Sequence, residues 1–197
     1  VSLELPGAKD WIGRPMEWNG NAVPTAPDPG PLLANGSFEN RLSGWMTGGD
    51  VNTVDGRYET ATPSEGVSQL VVEDQGVAMG FIDVPADADR LEVTATYYSN
   101  PITYTDPPAS AWLSGRITLE SVVGFKRAEA VLPEGTEPAP CDCDRFAESL
   151  GPVVVGFDLA ALRGERAILR VRAGDTYGPV SGAIAIDNIH LTAAPPN

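Results

Sequence analysis

Leu91-Glu92-Val93-Thr94-Ala95-Thr96-Tyr97-Tyr98 alternates with a period of two, sending Leu91, Val93, Ala95 and Tyr97 to one face and Glu92, Thr94, Thr96 and Tyr98 to the other. A helix would scatter these apolar residues around its axis, so the stretch reads as a strand with one face on a core. The next segment, residues 111–123, follows the same rule. Leu113, Gly115, Ile117 and Leu119 form its apolar set, with Trp112, Ser114, Arg116, Thr118 and Glu120 opposite. Nearer the C-terminus, Arg170 and Arg172 face away from Leu169 and Val171.

Short apolar segments separated by turn residues extend this pattern in both directions: residues 32–38, 69–73, 78–84, 153–157, 167–173 and 183–191. The 21 glycines and 18 prolines supply many turns, and one helical turn at 158–162 is the only helical signal. The expectation is an all-β jelly-roll β-sandwich of about eight strands over residues 32–194. Residues 100–110 and 132–152, interrupted by prolines, read as long loops. Residues 1–31 read as an extended Pro/Gly-rich N-terminal arm, with Trp11 and Trp18 to dock it. The arm either packs on its own domain or completes a neighbouring copy's sheet through Val1 to Leu5.

A formal charge of −14, from 27 acidic and 13 basic residues, would repel nucleic acid and anionic lipid, so neither is an expected partner. No apolar run approaches the length of a membrane span. The chain opens on Val-Ser-Leu-Glu-Leu without an initiator Met, as a secreted product does after loss of a signal peptide, or as a trimmed chain does.

Leu32-Leu33-Ala34-Asn35-Gly36-Ser37-Phe38-Glu39, then Gly44-Trp45, resembles the opening of the galactose-binding-like jelly rolls found in many carbohydrate-binding modules. Residues 157–164, 167–173 and Ile184-Ala185-Ile186-Asp187-Asn188-Ile189-His190-Leu191 resemble the closing third of those domains, in the same order. The resemblance spans about residues 32–192 and implies a sugar-binding domain outside the cell. It also implies a structural calcium tying the first strand to the last through Glu39 and Asp187 with backbone carbonyls. Read from the residues alone, the pair is equally a surface carboxylate and an acceptor that steadies a bulge. A bulge is expected at Asp187-Asn188, because Ile184 and Ile186 differ in parity from Ile189 and Leu191.

Tyr98, Trp112, Arg116, Arg170 and Arg172 make a candidate ligand face: aromatic rings stack on pyranose C–H groups and polar groups bond hydroxyls. The loop aromatics Tyr58, Tyr104 and Tyr177 offer a second route, or are turn residues with partly buried rings. Cys141 and Cys143 are a candidate local disulfide of an oxidising compartment, with a bond to another chain as the alternative. His190 is the only histidine and no nucleophile motif accompanies it, so no catalytic residue is assigned. Two function classes result. One is a non-catalytic carbohydrate-binding or adhesion domain, secreted or on the cell surface, whose partner is a polysaccharide or glycan. The other is a structural subunit of a surface filament or layer, whose partners are copies of itself.

Overall fold

A computed structural model describes residues 35–99, 115–123, 126–131, 133–137, 139–174 and 182–193. Its strands are β1 (Trp45–Asp55), β2 (Ser68–Asp83), β3 (Ala88–Ser99), β4 (Gly115–Ser121), β5 (Arg127–Ala128), β6 (Ala130–Val131), β7 (Ala139–Pro140), β8 (Glu148–Asp158), β9 (Arg166–Ala173) and β10 (Gly182–Ala193). Every pairing is antiparallel, and no helix occurs among the described residues. The chain is an all-β jelly-roll sandwich. The N-terminal arm, Trp11, Trp18, Tyr104, Trp112 and Tyr177 lie outside the described residues.

β2 belongs to both layers. Its first half, Leu70 to Glu73, pairs with β10, whereas its second half, Val77 to Asp83, pairs with β9. The change of layer falls at Asp74 and Gln75, whose φ values of 32° and 70° break the extended path. β1 follows β2 through both halves and slips register between Gly48 and Asp50. Gly76 has no room for a side chain, since a Cβ there would lie 2.3 Å from the Asp50 carbonyl oxygen. One layer is thus the first half of β2 with β10, β3 and β8, and the other is the second half of β2 with β9, β4 and β5.

The inward residues of both layers form a single core. Leu70, Val72, Leu91, Val93, Ile184 and Ile186 from one layer are buried with Ile82, Ile117, Leu119, Leu169 and Val171 from the other. The layers touch closely where β4 crosses β10: a Cβ on Gly115 would meet Ile184 Cδ1 at 2.3 Å. Each buried Leu or Ile stabilises the fold by about 1.5–3 kcal/mol, so the alternation read in residues 91–98 and 115–119 has a large energetic consequence.

Four expectations need correction. Residues 69–73 and 78–84 are halves of one strand, because a bulge preserves the hydrogen-bonded path while resetting the parity. Residues 35–38 form turns, held by Asn35, whose Nδ2 donates to the Arg41 and Ser43 carbonyls and whose Oδ1 accepts from Asn40 N. The helical turn expected at 158–162 is instead the end of β8 at Asp158 followed by turns at 160–164: Asp158 Oδ1 accepts from Ala160 N, and Leu159 and Leu162 enter the core. The expected loop 132–152 contains the start of β8, and Gly151-Pro152 sits at a register shift against β3, where a missing N–H is tolerated.

Candidate functional site

Strict pairing places Arg116 of β4 directly opposite Arg172 of β9, and Thr118 opposite Arg170. On the other side of β9, Arg172 stands against Val77, Arg170 against Met79, and Ile168 against Phe81. Directly opposed residues share a sheet face, so these side chains form one outer surface of the β2–β9–β4 layer. The inner partners Ile117, Leu119, Leu169 and Val171 are buried, which fixes the register. Arg170 reaches Glu120 at 3.9 Å, and the Arg166 guanidinium lies 5.0 Å from the centroid of the Phe81 ring. Arginine heads thus alternate with half-buried apolar side chains across this face.

Arg116, Arg170 and Arg172 are brought together as expected from their parity, but Tyr98 is not with them. It lies on the outer side of the opposite layer and is buried, only 1% exposed, among Ala61, Val71, Phe146, Ala183 and Ala185. Its hydroxyl accepts from Ala61 N at 2.8 Å and donates to the Tyr58 carbonyl at 3.1 Å. The parity in β3 is as read; the surprise is that residues 58–61 and 141–147 cover that face. Phe81, Met79 and Ile168 were missed on the arginine surface because alternation gives each strand's faces but not which strands are neighbours.

The cover over Tyr98 is pinned by charge. Glu73 Oε1 accepts from Tyr58 Oη at 2.5 Å and from the Arg145 guanidinium. Burial, then the bond to Glu73, pushes the Tyr58 phenol well above its ordinary pKa, and the Glu73 charge raises that of Arg145. Cys141 and Cys143 are joined in a disulfide beside this cluster. Tyr58 is therefore a half-buried cover residue. His190 is exposed, with Nε2 3.3 Å from Glu92 Oε2 on the neighbouring strand.

Glu39 and Asp187 grip the same loop. Glu39 Oε1 accepts from Val67 N and Ser68 N, both at 2.8 Å. Asp187 Oδ2 accepts from Ser64 N at 2.6 Å, Glu65 N at 2.8 Å and Ser64 Oγ at 3.1 Å. The bulge expected at Asp187-Asn188 is present: pairing with β3 slips between Asp187 and His190, and Asn188 has φ 48°. Asp187 is 3% exposed, and its Oδ1 is buried with no hydrogen-bond partner. Among the described residues no group of three or more His, Cys, Asp or Glu side chains is placed to hold a metal, so any cation here would need backbone oxygens besides these two carboxylates.

No family model matches the chain, and no curated protein matches it. Solved structures that align with it include the following two. TmCBM61 in complex with β-1,4-galactotriose aligns at 15% identity over 83% of this chain and 98% of that one, with a TM-score of 0.47. The enzymatically active domain of tailspike protein 4 from bacteriophage CBA120 aligns at 13% identity over 83% of this chain and 21% of that one, with a TM-score of 0.45.

Proposed function

We propose that this chain is a non-catalytic carbohydrate-binding domain, secreted or on the cell surface, that takes a glycan on the outer face of its β2–β9–β4 layer. The observation that carries this reading is the arginine-lined surface itself. Sugars present apolar C–H patches beside rings of hydroxyls, and this surface sets Met79, Phe81 and Ile168 beside the donors of Arg116, Arg170 and Arg172. Arginine donates through a rigid planar fork with five N–H groups, which suits vicinal oxygens. The Cys141–Cys143 disulfide supports an oxidising exterior.

A glycan array probed with the whole chain tests the reading, followed by the same array with Phe81→Ala and Arg170→Ala. Retained fold with lost glycan signal is the expected outcome. Absence of binding to every glycan would remove the reading.

A structural calcium at Glu39 and Asp187 is part of the same proposal. The donor chemistry fits: calcium prefers hard oxygens, and Asp187 Oδ1 is a buried carboxylate oxygen without a hydrogen-bond partner. Asp187 and Glu39 would hold the ion with backbone carbonyls. The ion's chemistry would be to neutralise the carboxylates and tie residues 64–68 to the last strand.

A further inference from the structure

We propose that the glycan taken by this face is anionic, with an acidic group of the sugar chain held between Arg116 and Arg172. The inference rests on reading the β2–β9–β4 face as a glycan site, and it names the class of glycan.

The chain has few cations to place, 13 against 27 acidic residues. Arg116, Arg127, Arg166, Arg170 and Arg172 nevertheless share this one face, where Glu120 and Asp83 are the opposing carboxylates. Local charge on the face is therefore opposite in sign to that of the whole molecule. Polyanions are repelled elsewhere on the surface and attracted here, which gives selectivity in position as well as in chemistry.

Partnering separates two arginines from the others on this face. On this face Arg166 has Asp83 at 3.7 Å, Arg170 has Glu120 at 3.9 Å, and Arg127 has Glu120 at 4.0 Å. Elsewhere Arg41, Arg90, Arg145 and Arg163 each have a carboxylate within 3.3 Å. Arg116 and Arg172 have no carboxylate within 4.0 Å among the described residues, although they stand directly opposite one another. Arg172 Nε is also buried without an acceptor, as is Arg166 Nε, although Arg166 has Asp83 beside it. Like charges opposed across strands repel, so in the free protein this pair is an unfavourable arrangement that an intervening anion would reverse.

A side-chain packing role alone accounts for the arginine stems lying over Val77 and Met79, but not for the unneutralised heads. A carboxylate or a sulfate ester supplies what is missing. Its oxygens match the guanidinium fork, and two opposed arginines about 5 Å apart at Cβ can close on one such group from both sides. Arg170, about 7 Å further along β9, would contact the next part of the sugar chain.

Calorimetric titration of the whole chain tests this with four probes: galacturonate oligomers, their methyl esters, sulfated dextran oligomers and neutral galactan oligomers. Arg116→Gln, Arg172→Gln and Arg172→Lys are titrated beside the unaltered chain, with the melting temperature of each recorded. The expected result is tightest binding to galacturonate or to sulfated dextran, the preferred probe identifying the carboxylate or the sulfate as the acidic group. The methyl ester and the galactan should bind at least about tenfold more weakly, and each Gln variant should lose about tenfold or more on the acidic probe, without a fall in melting temperature. Arg172→Lys keeps the charge but not the fork and should fall between.

Equal affinity for neutral and acidic probes, or unchanged acidic binding in both Gln variants, would overturn the anionic inference and leave the glycan reading standing. No binding to any of the four probes, joined to an empty glycan array, would overturn both.

Discussion

The Tyr98 hydroxyl and the Ala61 backbone are joined across the outside of the β3 layer: Tyr98 Oη accepts from Ala61 N at 2.8 Å while donating to the Tyr58 carbonyl at 3.1 Å. This bond turns an outward strand residue into an anchor for the 58–61 turn. Tyr98→Phe keeps the ring packing against Phe146 but loses both bonds, and it should destabilise the chain by about 1 kcal/mol in urea titration. Tyr98→Ala, which also empties the cluster, should cost about 3–5 kcal/mol. Neither variant that remains folded should change glycan affinity, because the ring lies on the layer opposite the arginine face. A loss of binding in folded Tyr98→Phe would move the site to the other layer.

The fate of Tyr98 shows where the sequence was legible. Alternation in β3, β4 and β9 set each residue's face correctly, because a buried face penalises a one-residue slip severely. What covers a face is decided by distant segments, here residues 58–61 and 141–147, and no local period encodes that. β1 was invisible for a related reason. It has only Val51 and a few half-buried residues facing protein, so its sequence lacks the alternation that a two-sided strand requires. The juxtaposition of Arg116 with Arg172 was half legible: both parities could be read, the strand neighbours could not.

Gly76 approaches the partner strand too closely for any side chain, with Asp50 O and Glu73 O within 2.3 and 2.7 Å of a would-be Cβ. Gly76→Ala should therefore destabilise by more than about 2 kcal/mol, through displacement of the bulge that carries β2 from one layer to the other. Gly48→Ala is the matched control, since a Cβ there meets nothing within 4 Å. Equal unfolding midpoints for the two variants would show that the crossing tolerates separation.

Asp55 and Glu165 should give the chain a measurable acid dependence. The hydrogen bonds from Arg41 and Ser68 hold Asp55 below the ordinary carboxylate range, and those from Lys126 and Ser121 do the same for Glu165. A depressed folded-state pKa contributes stability that is present above the unfolded value and lost as pH falls through the folded one. Arg41→Ala should thus lower the melting temperature slightly at about pH 7, and the difference from the parent should shrink as pH falls through the folded-state pKa of Asp55. Comparing variant with parent at each pH cancels the general relief of repulsion as an acidic chain is protonated. A difference that persists unchanged at low pH would mean that Arg41 acts by packing rather than by charge.

Asp187 Oδ2 holds the amides of Ser64 and Glu65 while its Oδ1 stays buried and unpartnered, and Glu39 holds the next amides along the same loop. Calcium binding to the folded state alone stabilises it by about 2.7 kcal/mol at a hundredfold excess over Kd, which in a domain of this size is a rise of about 5–10 °C in melting temperature. The rise should be reversed by EDTA and restored by added calcium, with magnesium much less effective because it demands a tighter, near-octahedral oxygen shell. Asp187→Asn should lose the calcium response but keep much of the loop contact, since its amide oxygen can still accept from Ser64 and Glu65. Glu39→Gln should weaken the response while leaving Asp187 in place. If the melting temperature of the unaltered chain is the same in calcium and in EDTA, Asp187 is an anchor for the 64–65 turn and no cation joins it to Glu39.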